Sequence, residues 1–231
     1  MRNTLGMLAL GALLVPAAPA AFGNWAVITM GNVPEYLRVG QASTLEFTIR
    51  QHGQRPMDDR SPTVTVRKAG AGWLAAKQRL PGVRTGEPGQ YAVTITPEDT
   101  GSVELTIDSD WNTSRVTLLP IPVLAPTQAP VSVADQERGR QMFVAKGCVT
   151  CHMKRDDPVL GERNSLSVGP ELTGRQFPLE WISQKLADPA SLRVGTGQYA
   201  VMPNLGLSRL EIAALASYVN YRQQTAATES R

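Results

Sequence analysis

Residues 139–152 read Gly139-Arg140-Gln141-Met142-Phe143-Val144-Ala145-Lys146-Gly147-Cys148-Val149-Thr150-Cys151-His152, and the folding of the C-terminal part follows from them. After Val133 the apolar positions recur at helical spacing. Asp135 stands where a cap is expected, and the helix should run through Gly139, Met142, Phe143 and Val144, with Gly139 and Phe143 on one face. Directly behind that helix, two thiols and an imidazole fall within five residues.

Cys148 and Cys151 are the only two cysteines in the chain, and His152 follows the second directly. This Cys-x-x-Cys-His spacing is the one used for covalent attachment of haem c. Each thiol adds to one vinyl group of the porphyrin, and the two-residue gap spans the distance between the vinyls. The next residue then places an imidazole nitrogen toward the iron. Three plainer readings compete. A structural zinc site needs four ligands, whereas the only other histidine is His52, far upstream. A thioredoxin-type pair belongs in a βαβ setting, which the pattern does not offer. A disulfide suits an exported protein but leaves His152 without a purpose.

Downstream, a second helix is expected over Leu179–Ala187, stopping near Asp188-Pro189 because the residue before proline avoids the α region. A third opens at Ser208, three residues before Glu211, which is capping-box spacing. Leu210, Ala214, Leu215, Tyr218 and Val219 form its apolar face. With these elements in place, residues 134–222 resemble a small bacterial class I cytochrome c. The likeness rests on the helix running into Cys148, on Val168-Gly169-Pro170-Glu171-Leu172, on Glu180-Trp181-Ile182 with Asp188-Pro189, on Met202-Pro203-Asn204, and on Glu211–Tyr218. It implies an all-α cytochrome c fold with one covalently attached haem c. His152 and Met202, 50 residues apart, would be its axial ligands, and a His/Met pair raises the reduction potential. The resemblance also implies that the Pro170 carbonyl accepts the other ring N–H of His152, which fixes the tautomer. Arg175, Trp181, Tyr199 and Arg193 are candidates for the haem propionates, although Trp181 and Tyr199 serve equally well as core aromatics.

Upstream, from about Asn24 to Leu119, the period is two. Thr44-Leu45-Glu46-Phe47-Thr48-Ile49-Arg50 alternates polar and apolar side chains. Similar runs are Trp25–Met30, Thr63–Arg67, Gln90–Thr96, Ser102–Ile107 and Thr113–Leu119. Six or seven short strands between Gly/Pro/Asp turns suggest an all-β immunoglobulin-like sandwich over 24–119. Pro88–Ile95 and Gly101–Leu105 resemble YtkA-like or FixH-like extracytoplasmic sandwiches. Residues 120–130 hold four prolines, so 120–133 reads as an extended linker. His52 with Met57 is a candidate soft-metal pair that suits copper, against the plainer reading of two solvated loop residues. A dinuclear or blue-copper centre needs thiolates that this region lacks.

Residues 1–20 read as a signal peptide. Arg2 precedes an apolar run from Leu5 to Val15, and Ala18-Pro19-Ala20 offers a cleavage site. The rival is an uncleaved anchor, for which the run is short and interrupted by Pro16 and Pro19. Residues 223–231 read as a flexible tail. The formal charge of +3 is evenly spread, with 12 Lys/Arg against 10 Asp/Glu after residue 130, so nucleic acid is not an expected partner. The expected function is electron transfer in a respiratory or photosynthetic-type chain. The partners would be redox proteins, a membrane electron-transfer complex among them, with no small-molecule substrate and no catalytic residue. Two alternatives stand beside it. One is a haem enzyme or gas sensor with an open sixth site; the other is a metal-binding or assembly module with the haem as its redox switch.

Overall fold

The computed structural model describes residues 24–72, 75–160, 166–192 and 201–221. The signal segment, the C-terminal tail, Arg193 and Tyr199 lie outside the described residues. Among those described, the N-terminal part carries β1 (Ala26–Met30), β2 (Leu37–Arg38), β3 (Ser43–Gln51), β4 (Arg55–Pro56), β5 (Thr63–Lys68), β6 (Lys77–Pro81), β7 (Val83–Arg84), β8 (Gln90–Ile95), β9 (Gly101–Asp108), β10 (Arg115–Thr117) and β11 (Ile121–Leu124). One sheet runs β1-β3-β8-β7 with β4 on β3; the other runs β2-β11-β9-β5-β6 with β10 on β9. Their inner faces share one apolar core, in which Phe47, Ile49 and Tyr91 of the first sheet and Val64, Leu105 and Ile107 of the second are buried. Alternation produces this arrangement: Leu45, Phe47 and Ile49 point inward from β3, while Thr44 and Glu46 stay exposed.

β1 departs from that rule, because all five of its residues are buried. Ala26, Ile28 and Met30 enter the core between the sheets. Val27 faces Gly147 of the helical part instead, and the Thr29 hydroxyl reaches the Lys146 carbonyl at 3.5 Å. A strand covered on both faces has no solvent-facing side.

The expected linker needs correction. Ile121–Leu124 is a strand lying between β9 and β2, antiparallel to the first and parallel to the second. β10 and β11 both run along β9, with Thr117 opposite Thr106 and Ile121 opposite Val103. The register slips by one residue across Leu118-Leu119-Pro120, as at a β-bulge. Pro122 is tolerated because pairing with β2 begins only at Val123, so no partner there requires its missing N–H. Ile121 and Val123 are buried while Pro122 is half-buried. The strand period therefore outweighs the proline count. β6 was invisible for the opposite reason: Lys-Gln-Arg-Leu-Pro is mostly exposed, a polar edge strand without alternation.

The C-terminal part holds α1 (Asp135–Ala145), the single turn α2 (Cys148–Cys151), α3 (Leu179–Ala187) and α4 (Arg209–Asn220). Asp135 is not the cap of α1. Ala134 occupies that position without a side-chain hydrogen bond, and Asp135 and Glu137 lie in the first turn, where acidic groups suit the helix dipole. Ser208 caps α4 in a full capping box with Glu211. α1 crosses α4 at Gly139, where an added Cβ would lie 2.0 Å from the Ala214 carbonyl oxygen and 2.5 Å from Tyr218 Cβ. Phe143 and Tyr218 then meet at 5.4 Å between ring centroids.

Candidate haem-attachment site

Gly147 ends α1 with φ of +79° and turns the chain into α2. That turn presents Cys148 and Cys151, and His152 follows in extended conformation. A loop from 166 to 172 is laced to the turn. Leu166 N–H donates to the Thr150 carbonyl at 2.8 Å, Gly169 N–H to Cys151 at 3.0 Å, and Leu172 N–H to Met153 at 2.8 Å. The lacing brings Pro170 to His152, whose Nδ1 lies 2.8 Å from the Pro170 carbonyl oxygen. That oxygen only accepts, so the imidazole proton is on Nδ1 and the Nε2 lone pair is left for a metal. Gly169 permits this approach, since a Cβ there would stand 2.6 Å from His152 Cε1.

Burial pushes the Cys148 thiol up to about 12, with the nearby Cys151 adding to the effect, and pushes Cys151 up to about 11. In the metal-free chain burial thus favours the neutral thiol at both positions. A thioether is also neutral, so covalent attachment matches this apolar setting. Burial likewise holds His152 below the usual histidine range, against the opposing effect of the Pro170 bond. The imidazole is then uncharged and able to ligate. The residues fit a covalently held haem.

Met202 lies on the loop between α3 and α4, partly buried against the core. Trp181 stacks on Phe177 at 5.1 Å between centroids. Arg175 is exposed, and its N–H caps a turn from Leu172. The candidate copper pair is divided between different surroundings. Met57 is buried in the core of the sheets, its carbonyl accepting from Tyr91 Oη at 2.8 Å. His52 sits on the β3–β4 turn against Trp25, 5.0 Å between centroids, with Nε2 buried and without a hydrogen-bond partner among the described residues.

One cluster escaped sequence reading. Asp157 is buried and accepts from Arg140 Nε at 2.7 Å and from Tyr218 Oη at 2.8 Å, joining α1, the segment after His152 and α4. Lys154 Nζ lies beneath the end of α4 and donates to the Val219 and Tyr221 carbonyls. The sequence shows only a run of charges at 154–157, which ordinarily reads as a solvated turn.

A helix crossing at glycine, a Cys-x-x-Cys-His turn and a carbonyl-held histidine define the cytochrome class of haem-based electron-transfer domains. Residues 136–223 match the family model for cytochrome c, and this part of the chain is a cytochrome c domain. The match does not reach the two-sheet region. No curated protein matches the chain. Among solved structures, the Lin-41 filamin domain is 11% identical with a TM-score of 0.33, covering 42% of this chain and 91% of its own. A superoxide reductase (neelaredoxin) from Ignicoccus hospitalis is 11% identical, TM-score 0.29, covering 43% and 83%. A protein from Bacteroides vulgatus described as a glycoside hydrolase is 15% identical, TM-score 0.30, covering 41% of this chain and only 17% of its own.

Proposed function

We propose that this chain is an exported mono-haem c-type cytochrome that carries single electrons on the periplasmic or extracytoplasmic side of a membrane. The observation carrying this reading is the His152 Nδ1 contact to the Pro170 carbonyl, on a turn that presents both chain thiols. Bound there, the haem supplies a one-electron couple. Cys148 and Cys151 would hold it as thioethers, and His152 Nε2 and the Met202 sulfur would be the donors to its iron. The Pro170 carbonyl keeps the imidazole oriented and strengthens it as a donor. With two protein donors the iron would keep no place for a substrate, which favours a carrier over an enzyme. Its partners are redox proteins, a membrane electron-transfer complex among them, in a respiratory or photosynthetic-type chain. The sheets form a sandwich of immunoglobulin-like shape that serves docking or assembly. Among the described residues no helix is long and apolar enough to cross a membrane.

Two tests bear on this. After acid-acetone extraction of protein made in a thioether-forming host, haem should stay on the polypeptide. The double variant Cys148→Ser/Cys151→Ser should release it under the same treatment, and a colourless parent polypeptide ends the reading. Met202→Ala should bind carbon monoxide in the reduced state at neutral pH, whereas the parent should not. A parent that binds it equally well transfers the case to a haem enzyme or gas sensor.

A further inference from the structure

The two-sheet region touches the cytochrome domain on both shores of the proposed haem site. On the attachment side, β1 lies against Lys146 and Gly147. An added Cβ at Gly147 would fall 2.6 Å from Val27 Cγ1 and 2.8 Å from the Ile28 carbonyl oxygen. Lys146, itself buried, donates through Nζ to the Gly31 carbonyl at 2.7 Å and pairs with Glu211 at 2.7 Å. Cys148 is the next residue but one. On the other side, the β3–β4 turn lies against Val201 and Pro203, the neighbours of Met202. Gln54 Nε2 donates to the Val201 carbonyl at 2.8 Å, and an added Cβ at Gly53 would stand 3.3 Å from Pro203 Cγ.

The turn is built to be stiff. His52 and Gly53 have φ of +52° and +74°, and Gln54 N–H closes on the Gln51 carbonyl at 3.0 Å. Two successive positive φ values restrict the backbone of this three-residue connection between β3 and β4. His52 N–H is also tied to the Trp25 carbonyl at 3.1 Å. The Val201–Leu207 segment, by contrast, has no helix or strand. Its own bond is Gly206 N–H to Asn204 Oδ1, and among the described residues the hydrogen bond reaching it from outside comes from Gln54. Val27 links the two contacts. Its Cγ1 faces Gly147 and its Cγ2 lies 3.4 Å from the Cβ position of Gly53. β1 and β3 are paired in register through these positions, with Val27 opposite Arg50 and Ala26 opposite Gln51.

We infer that the two-sheet region is a clamp that holds the axial loop against the attachment turn, with Gln54 and Val27 as positioning residues for Met202. The inference rests on the proposed role of Met202. The Val201–Leu207 segment, without helix or strand, is of the kind that opens readily, and with haem bound its opening would expose the iron to external ligands. The clamp sets how often that happens. Apparent affinity for an external ligand scales with the open fraction, so any loss of clamp strength appears directly as tighter binding.

The test uses the full holoprotein in the ferric state and titrates imidazole, which displaces a thioether. Gln54→Ala should raise imidazole affinity roughly two- to tenfold, the span expected for one hydrogen bond. Gln54→Arg, which keeps a long donor, should restore much of the parent value. Val27→Ala should raise it as well. Gln54 is exposed, so its removal should lower the thermal unfolding midpoint by no more than the few degrees that one hydrogen bond allows, and a general loosening of the fold would fail that control. Unchanged imidazole affinity in both Gln54→Ala and Val27→Ala, with a ferric spectrum still sensitive to Met202→Ala, overturns the clamp alone. A ferric spectrum indifferent to Met202→Ala overturns the axial reading, and the clamp with it.

Discussion

Gly139→Ala is expected to lower the thermal unfolding midpoint of the cytochrome domain by more than about 10 °C. The added methyl would sit 2.0 Å from the Ala214 carbonyl oxygen and 2.5 Å from Tyr218 Cβ. Neither is the far end of a flexible chain; both belong to the α4 backbone or are rooted on it. Relief requires the helices to separate, and separation strips contact from Phe143 and Tyr218, two of the largest fully buried side chains. Overpacking of this kind costs on the order of 3 kcal/mol. The gain in helix propensity from glycine to alanine, about 1 kcal/mol, is too small to offset it. Gly72→Ala is the control: nothing lies within 4 Å of its Cβ position, so its midpoint should hold within the scatter of neutral surface changes. If the two variants melt together, the helix crossing does not depend on the missing side chain.

The same crossing shows why the cytochrome part was legible in sequence. Gly139, Phe143, Leu215 and Tyr218 carry their pattern within single helices, and Ser208 with Glu211 carries a cap within four residues. Local signals of this kind survive without tertiary information. The motif at 148–152 is similar, since its spacing is set by a cofactor rather than by the rest of the chain. Pro120-Ile121-Pro122 misled because proline counting ignores where the ladder bonds fall, and only the pairing partners on either side reveal that the N–H of Pro122 is dispensable. Gln54 gave no signal at all. Its partner Val201 is 147 positions away, and a polar residue beside a turn glycine is ordinary surface chemistry. Contacts between the sheets and the Val201–Pro203 segment come from the packing of two folded units, which no periodicity encodes.

Asp157→Asn should be the most destabilising polar substitution in the cytochrome domain, costing about 3–5 kcal/mol at neutral pH. Asp157 is 3% exposed and is the shared acceptor for Arg140 and Tyr218. Arg140 is itself largely buried, and its remaining partner is Glu137 on its own helix. The amide leaves that guanidinium, whose side chain is 11% exposed, under-compensated where little water reaches. Burial alone would raise the Asp157 pKa, but the hydrogen bonds from Arg140 and Tyr218 outweigh it and hold the carboxyl below the usual range. Burial together with Asp157 pushes the Tyr218 hydroxyl up, so it remains a donor throughout. The sign then follows. A depressed folded pKa contributes stability that is present above the unfolded carboxylate value near ~3.9 and is lost as pH falls through the lower folded value. Denaturant unfolding followed from neutral pH down through the carboxylate range should therefore show a parent that weakens below about pH 4 and a variant that starts lower and falls less steeply, the two curves converging in acid. Glu171→Gln, which removes an exposed pair with Arg155, should change stability by less than about 1 kcal/mol. Parallel parent and Asp157→Asn curves would place the acid sensitivity of this domain on other carboxylates.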